Sequence, residues 1–575
     1  MNRPIRFILT LFILTWAVCG RTQDVEQVVK ADPWRSSGAI TMSNIFTWPK
    51  DSLKTDLPYS YYLSGSLNTT FFGVVSVPMS FSYTNNEYAS TIAYPFNRFS
   101  LAPSYRWIKT YIGYSTMSFS PYTMSGREFM GGGVELTPPD FPLSFSAYYG
   151  RFNKAVEFDS ALMQPLYRRM SGGMMIGYKA DMFDVSVNAV RSADIENSIS
   201  PDRSDTNYVA PKGNVALGVT ANARPFEATT VSVQYATSII DNNCSKDDST
   251  NLSPGILSKD DDTYRYQAFK VSASQSVSFG SLGVSYEQVS PNYATFSSYY
   301  NTDDFRNLTA DFAARIGKIA NISGSVGYQR DNLENQEVNT NTQAIYNVGL
   351  QLTPIERLSL SGSVSNIQSY VYIKDVVEKA TETNQYQNLD TLSYTELNFS
   401  TNGTASYTFG DPQALSQTIS TSYSYQKTSH EQKYSDDFTD TRLHNLNLSY
   451  QISHSDSKTT LSLSANFNRT DAAPQKTDVA TYSATLSNSF VKNLRVSFSA
   501  NYNTVKSETD YSITNLRATL DYSFLEHHNV SLNYSALTNN SKPGSPQYSL
   551  NLTYTYNFSC GIKRTDGKCH WNGDF

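Results

Sequence analysis

The stretch Tyr548-Ser549-Leu550-Asn551-Leu552-Thr553-Tyr554-Thr555-Tyr556-Asn557-Phe558 decides the fold. Tyr548, Leu550, Leu552, Tyr554, Tyr556 and Phe558 fall on one parity, and Ser549, Asn551, Thr553, Thr555 and Asn557 on the other. An extended chain of this composition has one apolar face and one uncharged polar face, whereas a helix would scatter both kinds around its circumference. Eleven residues exceed most strands of soluble sheets and match what a tilted strand needs to cross a bilayer. The apolar set is expected to face lipid, and the rest of the chain reads as this strand repeated.

Composition agrees. Across 575 residues no linker separates blocks of different composition, which favours one very large sheet over several domains. Hydrophobic residues are only 39% while Tyr numbers 41, with Ser, Thr and Asn between the apolar positions. A disordered chain would lack the aromatics and the alternation. The net charge of -6 is spread thinly and no Lys/Arg cluster tracks a groove, so nucleic acid is not an expected partner.

Arg3 and Arg6 precede an apolar run from residue 7 to 18, the pattern of a secretory signal peptide over residues 1–20. Cys19 follows Trp16, Ala17 and Val18, a poor lipidation context because the position before the Cys should be small. No later run of 18 apolar residues exists, so the exported chain has no helical span. Strands patterned for lipid then place it in the outer membrane of a Gram-negative cell, with outer-membrane lipids as its first partners. Residues 21–36 form a periplasmic leader in which Val25, Val28 and Val29 stand at helical spacing, compatible with a short helix or a frayed segment. Residues 37–559 are the barrel and 560–575 a periplasmic tail.

Between 37 and 559 the alternation recurs in about 26 segments, within a range of 24 to 28, which predicts an all-β chain folded as a single transmembrane antiparallel β-barrel. Connections alternate in length. Phe72-Gly73, Gly280-Ser281-Leu282, Val491-Lys492-Asn493 and Glu526-His527-His528 are tight, while 86–94, 194–207, 240–263, 293–305 and 369–391 are long and polar. Outer-membrane barrels put short turns in the periplasm and longer loops outside, and an even strand number leaves both termini periplasmic.

Strand faces describe the lumen. Leu461, Leu463 and Phe467 are expected to face lipid and Ser462, Ser464 and Asn466 the interior. The strand from 493 repeats this, with Leu494, Val496 and Phe498 outward and Arg495, Ser497, Ser499 and Asn501 inward. A neutral hydroxyl and amide wall differs from the charged rings of a selective small-solute pore.

Catalytic and metal constellations are weak. His444 and His454 share parity with Leu446, Leu448 and Ile452 on the lipid side, and the other four His fall in turns, loops or the tail, so no Ser-His-Asp site is expected and the chain is not read as an enzyme. Asp247, Asp248, Asp260, Asp261 and Asp262 lack the ligand spacing of a calcium loop and read as a solvated acidic loop, so no metal or other cofactor is expected. Gly131-Gly132-Gly133, with no Lys-Ser/Thr after it, reads as a bend or a close approach between strands. Cys560 and Cys569 form a candidate disulfide in an oxidising compartment.

The segments Gly113-Tyr114-Ser115-Thr116-Met117-Ser118-Phe119-Ser120-Pro121-Tyr122-Thr123, Gly131-Gly132-Gly133-Val134-Glu135-Leu136 and Tyr149-Gly150-Arg151-Phe152-Asn153-Lys154-Ala155-Val156 together resemble large, uncharacterised outer-membrane barrels of the Bacteroidota. That resemblance implies a fold and a compartment rather than an activity. The aromatic end of the last strand resembles the signal read by the barrel insertion machinery, which is then a further partner. Asp51-Ser52-Leu53, Asp159-Ser160-Ala161 and Asp390-Thr391-Leu392 match the O-glycosylation motif of that phylum. With strands beginning near 37, no room is expected for the plug domain of a TonB-dependent receptor. A lumen of about 26 strands is wider than that of plugged 22-stranded barrels. Outside loops of about 10 to 20 residues look too short to fill it. The expected function is a wide polar channel, conduit or sheath, its lumen filled or capped by a protein partner or passing a polar solute. The alternative is a surface barrel whose loops bind or adhere to a ligand or cell surface.

Overall fold

A computed structural model describes residues 31–48, 59–85, 97–157, 165–199, 209–244, 263–299, 302–334, 342–366, 369–371, 395–397, 399–411, 413–430, 439–472, 475–540, 546–565 and 568–572. The signal peptide, most of the leader, the Asp-rich loop and the three glycosylation motifs lie outside them. The barrel staves, in chain order, begin with β1 (Trp34–Trp48), β2 (Tyr59–Phe71), β3 (Val75–Thr84), β4 (Arg98–Leu101 with Ser104–Tyr105), β5 (Ile108–Ser120), β6 (Met124–Leu136), β7 (Leu143–Asn153), β8 (Arg169–Lys179) and β9 (Phe183–Asp194). They continue with β10 (Gly213–Phe226), β11 (Thr229–Asp241), β12 (Thr263–Val277), β13 (Gly280–Val289), β14 (Phe305–Ile316), β15 (Ala320–Asp331), β16 (Thr342–Ile355), β17 (Leu358–Asn366) and β18 (Phe399–Asp411). The ring ends with β19 (Leu415–His430), β20 (Thr439–His454), β21 (Thr459–Ala472), β22 (Gln475–Val491), β23 (Leu494–Lys506), β24 (Tyr511–Phe524), β25 (His528–Asn539) and β26 (Gln547–Thr565).

Each stave pairs antiparallel with its chain neighbours, and β26 closes on β1 from Trp34↔Ile562 to Trp48↔Tyr548. The sheet contains 28 hydrogen-bonded segments. One stave, β4, is broken in two, and Lys568–Asn572 only folds back on the end of β26, which leaves a closed antiparallel barrel of 26 strands, as the alternation predicts. A small pair, Ser369–Val371 with Thr395–Leu397, stands apart from the ring.

Every connection at the end where Phe71 meets Val75 is short, while the other end carries the long connections together with short ones such as 121–123 and 507–510. Tight turns use left-handed backbone at Gly73 (φ 67°) and Asn493 (φ 71°), which Gly tolerates freely and Asn better than most residues. Trp34 and Ile562 are partners, so the barrel starts and finishes at this tight-turn end.

Continuous register keeps one parity outward around the whole ring. Leu463, Phe467, Tyr482, Leu486, Phe498, Leu516, Leu520, Leu552 and Tyr554 are exposed large apolar side chains on that parity. Aromatic rings line both margins of this belt. Phe46, Tyr59, Tyr61 and Tyr83 make successive ring contacts at the long-loop end, and Tyr522, Phe524, His528, Tyr556 and Phe558 do so at the tight-turn end. Tyr548 and Phe558 are ten residues apart on β26, as are Phe399 and Phe409 on β18. At about 3.3 Å per residue and a tilt of about 40°, that is a band roughly 25 Å tall, the thickness of an outer-membrane hydrocarbon layer.

Gly131 explains the glycine run. It pairs with Gly150 on the inner face, and a Cβ there would collide with the carbonyl of Tyr149, so close strand approach is the reason for this glycine. The strand after β26 carries Cys569. Its side chain is not among those the structure describes, so the candidate pair with Cys560 lies outside the described side chains.

Candidate functional site

The site is the lumen, and it is asymmetric. Sequence reading assigns residues 293–305 to an outside loop. The structure instead folds the segment after β13 into the barrel mouth, against the inner faces of β6 and β9 to β11 and the short turn 121–123 between β5 and β6. The physical reason is in its own alternation, since Tyr293, Thr295 and Ser297 are all buried and each meets a polar partner on the wall.

Tyr293 Oη donates to the Tyr122 carbonyl at 2.5 Å, and Thr295 Oγ1 to the Thr123 carbonyl at 2.8 Å. Ser297 Oγ lies 3.1 Å from Ser192 Oγ, which donates in turn to Ser171 Oγ. Asn214, 3% exposed, is the central fastening. Its Nδ2 donates to Ser238 Oγ at 2.7 Å and to the Ile239 carbonyl at 3.1 Å, while Oδ1 accepts the Phe296 N–H at 3.1 Å. Ser238 Oγ donates to the Ala294 carbonyl at 2.5 Å.

Two arginines clamp the segment from the side. Arg127 donates to the Phe296 carbonyl at 2.5 Å and to Asn153 Oδ1 at 2.9 Å. Arg169 stacks over the Phe296 ring at 4.0 Å while its fork holds Asp194 at 2.7 and 2.9 Å. Beneath them lie two apolar clusters, one of Tyr122, Ala236, Ala268, Val289, Tyr293 and Phe305, the other of Met117, Met124, Phe129, Tyr148 and Val190. Burial pushes the Tyr122 and Tyr293 phenols well above their usual range, and the nearby Glu287 carboxylate adds to this at Tyr122. Both therefore stay neutral donors, Tyr122 Oη giving its proton to Glu287 at 2.6 Å.

The rest of the ring is different. From β18 round to β1 the inner wall carries hydroxyls and amides bonded to one another across strands: Thr408 to Thr418, Ser420 to Ser449, Asn445 to Asn468, Thr485 to Ser499, Ser535 to Ser549, Thr41 to Thr555. Ser462, Ser464, Asn466, Arg495, Ser497, Ser499 and Asn501 share the parity of this wall, as read from register. Leu461, Leu463, Phe467, Leu494, Val496, Phe498, Leu550, Leu552, Tyr554, Tyr556 and Phe558 take the opposite one. His444 and His454 are also on the outward parity, near opposite ends of β20. Alternation alone could not single out Asn214, Arg127 or Arg169. Their signal was an inward amide and two inward-end arginines in strands otherwise poor in charge.

No protein-family model matches the chain, and no curated protein does. Solved structures share its fold. The P pilus usher translocation pore is 11% identical with a TM-score of 0.37, over 91% of this chain and 99% of that one. A mutant of the ferric enterobactin receptor from Pseudomonas aeruginosa is 11% identical with a TM-score of 0.41, over 92% and 81%. OmpT of Vibrio cholerae is 11% identical with a TM-score of 0.27, over 58% and 98%.

Proposed function

We propose that this barrel spans an outer membrane as a wide, weakly selective conduit, narrowed from within by its own in-folded segment, through which a polar solute or an extended protein partner passes. The observation that carries this reading is the mutually bonded Ser/Thr/Asn wall. Many of these hydroxyls and amides already have a partner on the next strand, so the surface offers a passing molecule fewer unmet hydrogen bonds, and little charge. Conduction requires a site that is entered and left readily, and such a wall holds nothing tightly.

The apolar belt with aromatic margins supports the membrane assignment, and the tight turns then lie in the periplasm with the long loops outside. The packed sector behind residues 293–299 reduces the opening but does not reach the β18 to β26 side. A protein partner that fills or caps that remainder accounts for the permeability barrier. Catalysis and a bound cofactor have no part in this function. Purified protein in planar bilayers should give large conductance with weak ion selectivity, reduced when an outer-membrane extract of the native cell is added back. Small, strongly charge-selective conductance would refute the conduit, and absence of conductance from inserted barrel would favour a surface-binding role.

A further inference from the structure

On the outer face of β19 to β23, just below the long loops, a cleft of about 490 Å³ opens between the strands. Its floor is apolar, formed by Leu446, Phe467, Ala480 and Tyr482, with Phe467 and Tyr482 edge to face at 6.0 Å. Its upper rim is charged. Register places Tyr425, His444, Arg469, Asp478 and Lys506 side by side in one row across the five strands. The next row outward holds Lys427, Arg442, Asp471 and Lys476.

These two rows carry five cationic side chains and two carboxylates, all on the outward parity. Arg469 reaches both acids weakly, at 3.4 Å to Asp471 and 3.7 Å to Asp478, and its side chain stays 53% exposed. His444 is held in place by Tyr423 Oη at 2.9 Å and by the Tyr425 ring. Lys427 stands directly opposite Arg442, and on the far side of the ring Arg306 stands directly opposite Arg330 at the same end of the barrel. Outward-facing Arg151, Arg191 and Arg265 continue the basic rim.

A basic rim level with the aromatic margin, above an apolar cleft, is complementary to an amphiphile with an anionic head and acyl chains. We infer that this cleft is a binding site for a phosphorylated, multiply acylated lipid of the outward leaflet, its phosphate on Arg469 and Lys506 and its chain against Phe467 and Ala480. The inference rests on the membrane-spanning reading above, and it explains why charge collects on a face that otherwise avoids it. Lateral packing of such lipids against the barrel would seal its perimeter.

The test uses the full-length barrel in neutral detergent, with native mass spectrometry counting bound lipid. The probes are diphosphorylated lipid A, the same lipid with its phosphates removed, and inorganic phosphate. Wild-type protein should hold lipid A at least about 30-fold more tightly than the dephosphorylated form, and the double variant R469Q/K506Q should lose about that factor, at roughly one interfacial charge contribution per basic group. The cleft-filling variant A480W should lose lipid while the rim is intact, and millimolar inorganic phosphate should not displace it. Equal retention of both lipids, or full affinity in R469Q/K506Q that has kept its heat-modifiable fold, overturns the site. Displacement by inorganic phosphate overturns the acyl component. Bilayer conductance, read in parallel, separates the two proposals: a conducting barrel with no lipid preference refutes this site alone, whereas a barrel that does not insert refutes the membrane reading.

Discussion

Asn214→Ala should release the in-folded segment while leaving the barrel closed. The wild-type amide donates to Ser238 and to the Ile239 carbonyl and accepts the Phe296 N–H. Only the Phe296 N–H, and Thr295 Oγ1 at 3.4 Å from the same oxygen, cross from the wall to the segment, so at about 1 kcal/mol per bond the segment loses about 1 to 2 kcal/mol. At 1.4 kcal/mol per tenfold, the closed arrangement becomes about 5- to 30-fold less favoured. Amide hydrogen exchange reads this directly. The Phe296 N–H, and the Ser125 N–H that donates to the Ser297 carbonyl at 3.3 Å, should exchange about 5- to 30-fold faster, while the ladder amides of β10 stay protected. Single-channel conductance should rise as the segment leaves the mouth. Asn214→Asp keeps the acceptor for the Phe296 N–H, so it should release the segment less than Asn214→Ala does. Unchanged exchange at Phe296 and Ser125 in a folded Asn214→Ala barrel would refute the fastening role.

Cys244 offers a pH test: burial and the neighbouring Asp241 push its thiol up to about 12, so with Cys560 and Cys569 replaced by Ser its alkylation at pH 8 should be about 1,000-fold slower than for a free thiol, rising about tenfold per pH unit. An alkylation rate at pH 8 equal to that of a model peptide would contradict the buried placement. Single cysteines at Ser462 and Ser464 should label with a water-soluble thiol reagent in liposomes and those at Leu463 and Phe498 with a lipophilic one; equal labelling of both parities would refute the facing. Phe498→Arg, which sets a cation in the apolar belt, should cost about 2 to 4 kcal/mol of folding stability in bilayers by denaturant titration, and a neutral effect would count against lipid at that face. Gly131→Val should abolish the heat-modifiable folded band, because its side chain meets the Tyr149 carbonyl.

The sequence by itself determined the stave count, the facing of each stave and the closure. Strand parity has a period of two, and a single slip would turn Leu550, Leu552 and Tyr554 inward together, so the apolar pattern admits one register. The end at which every connection is short left its signature in residues such as Phe72-Gly73 and Lys492-Asn493, whereas the other end mixes long loops with short turns. Tertiary structure decided what fills the barrel. Tyr293, Thr295 and Ser297 read as an ordinary polar loop, and only the distant walls that bring Tyr122, Asn214 and Ser192 within hydrogen-bond reach turn it inward. The basic rim emerged in the same way. Lys427, Arg442, Arg469 and Lys506 are scattered over some 80 residues of sequence, and lateral hydrogen bonding between antiparallel strands is what lines them up. Local pattern sets which way each residue points, while the residues that meet across the ring are set by the closure of the sheet.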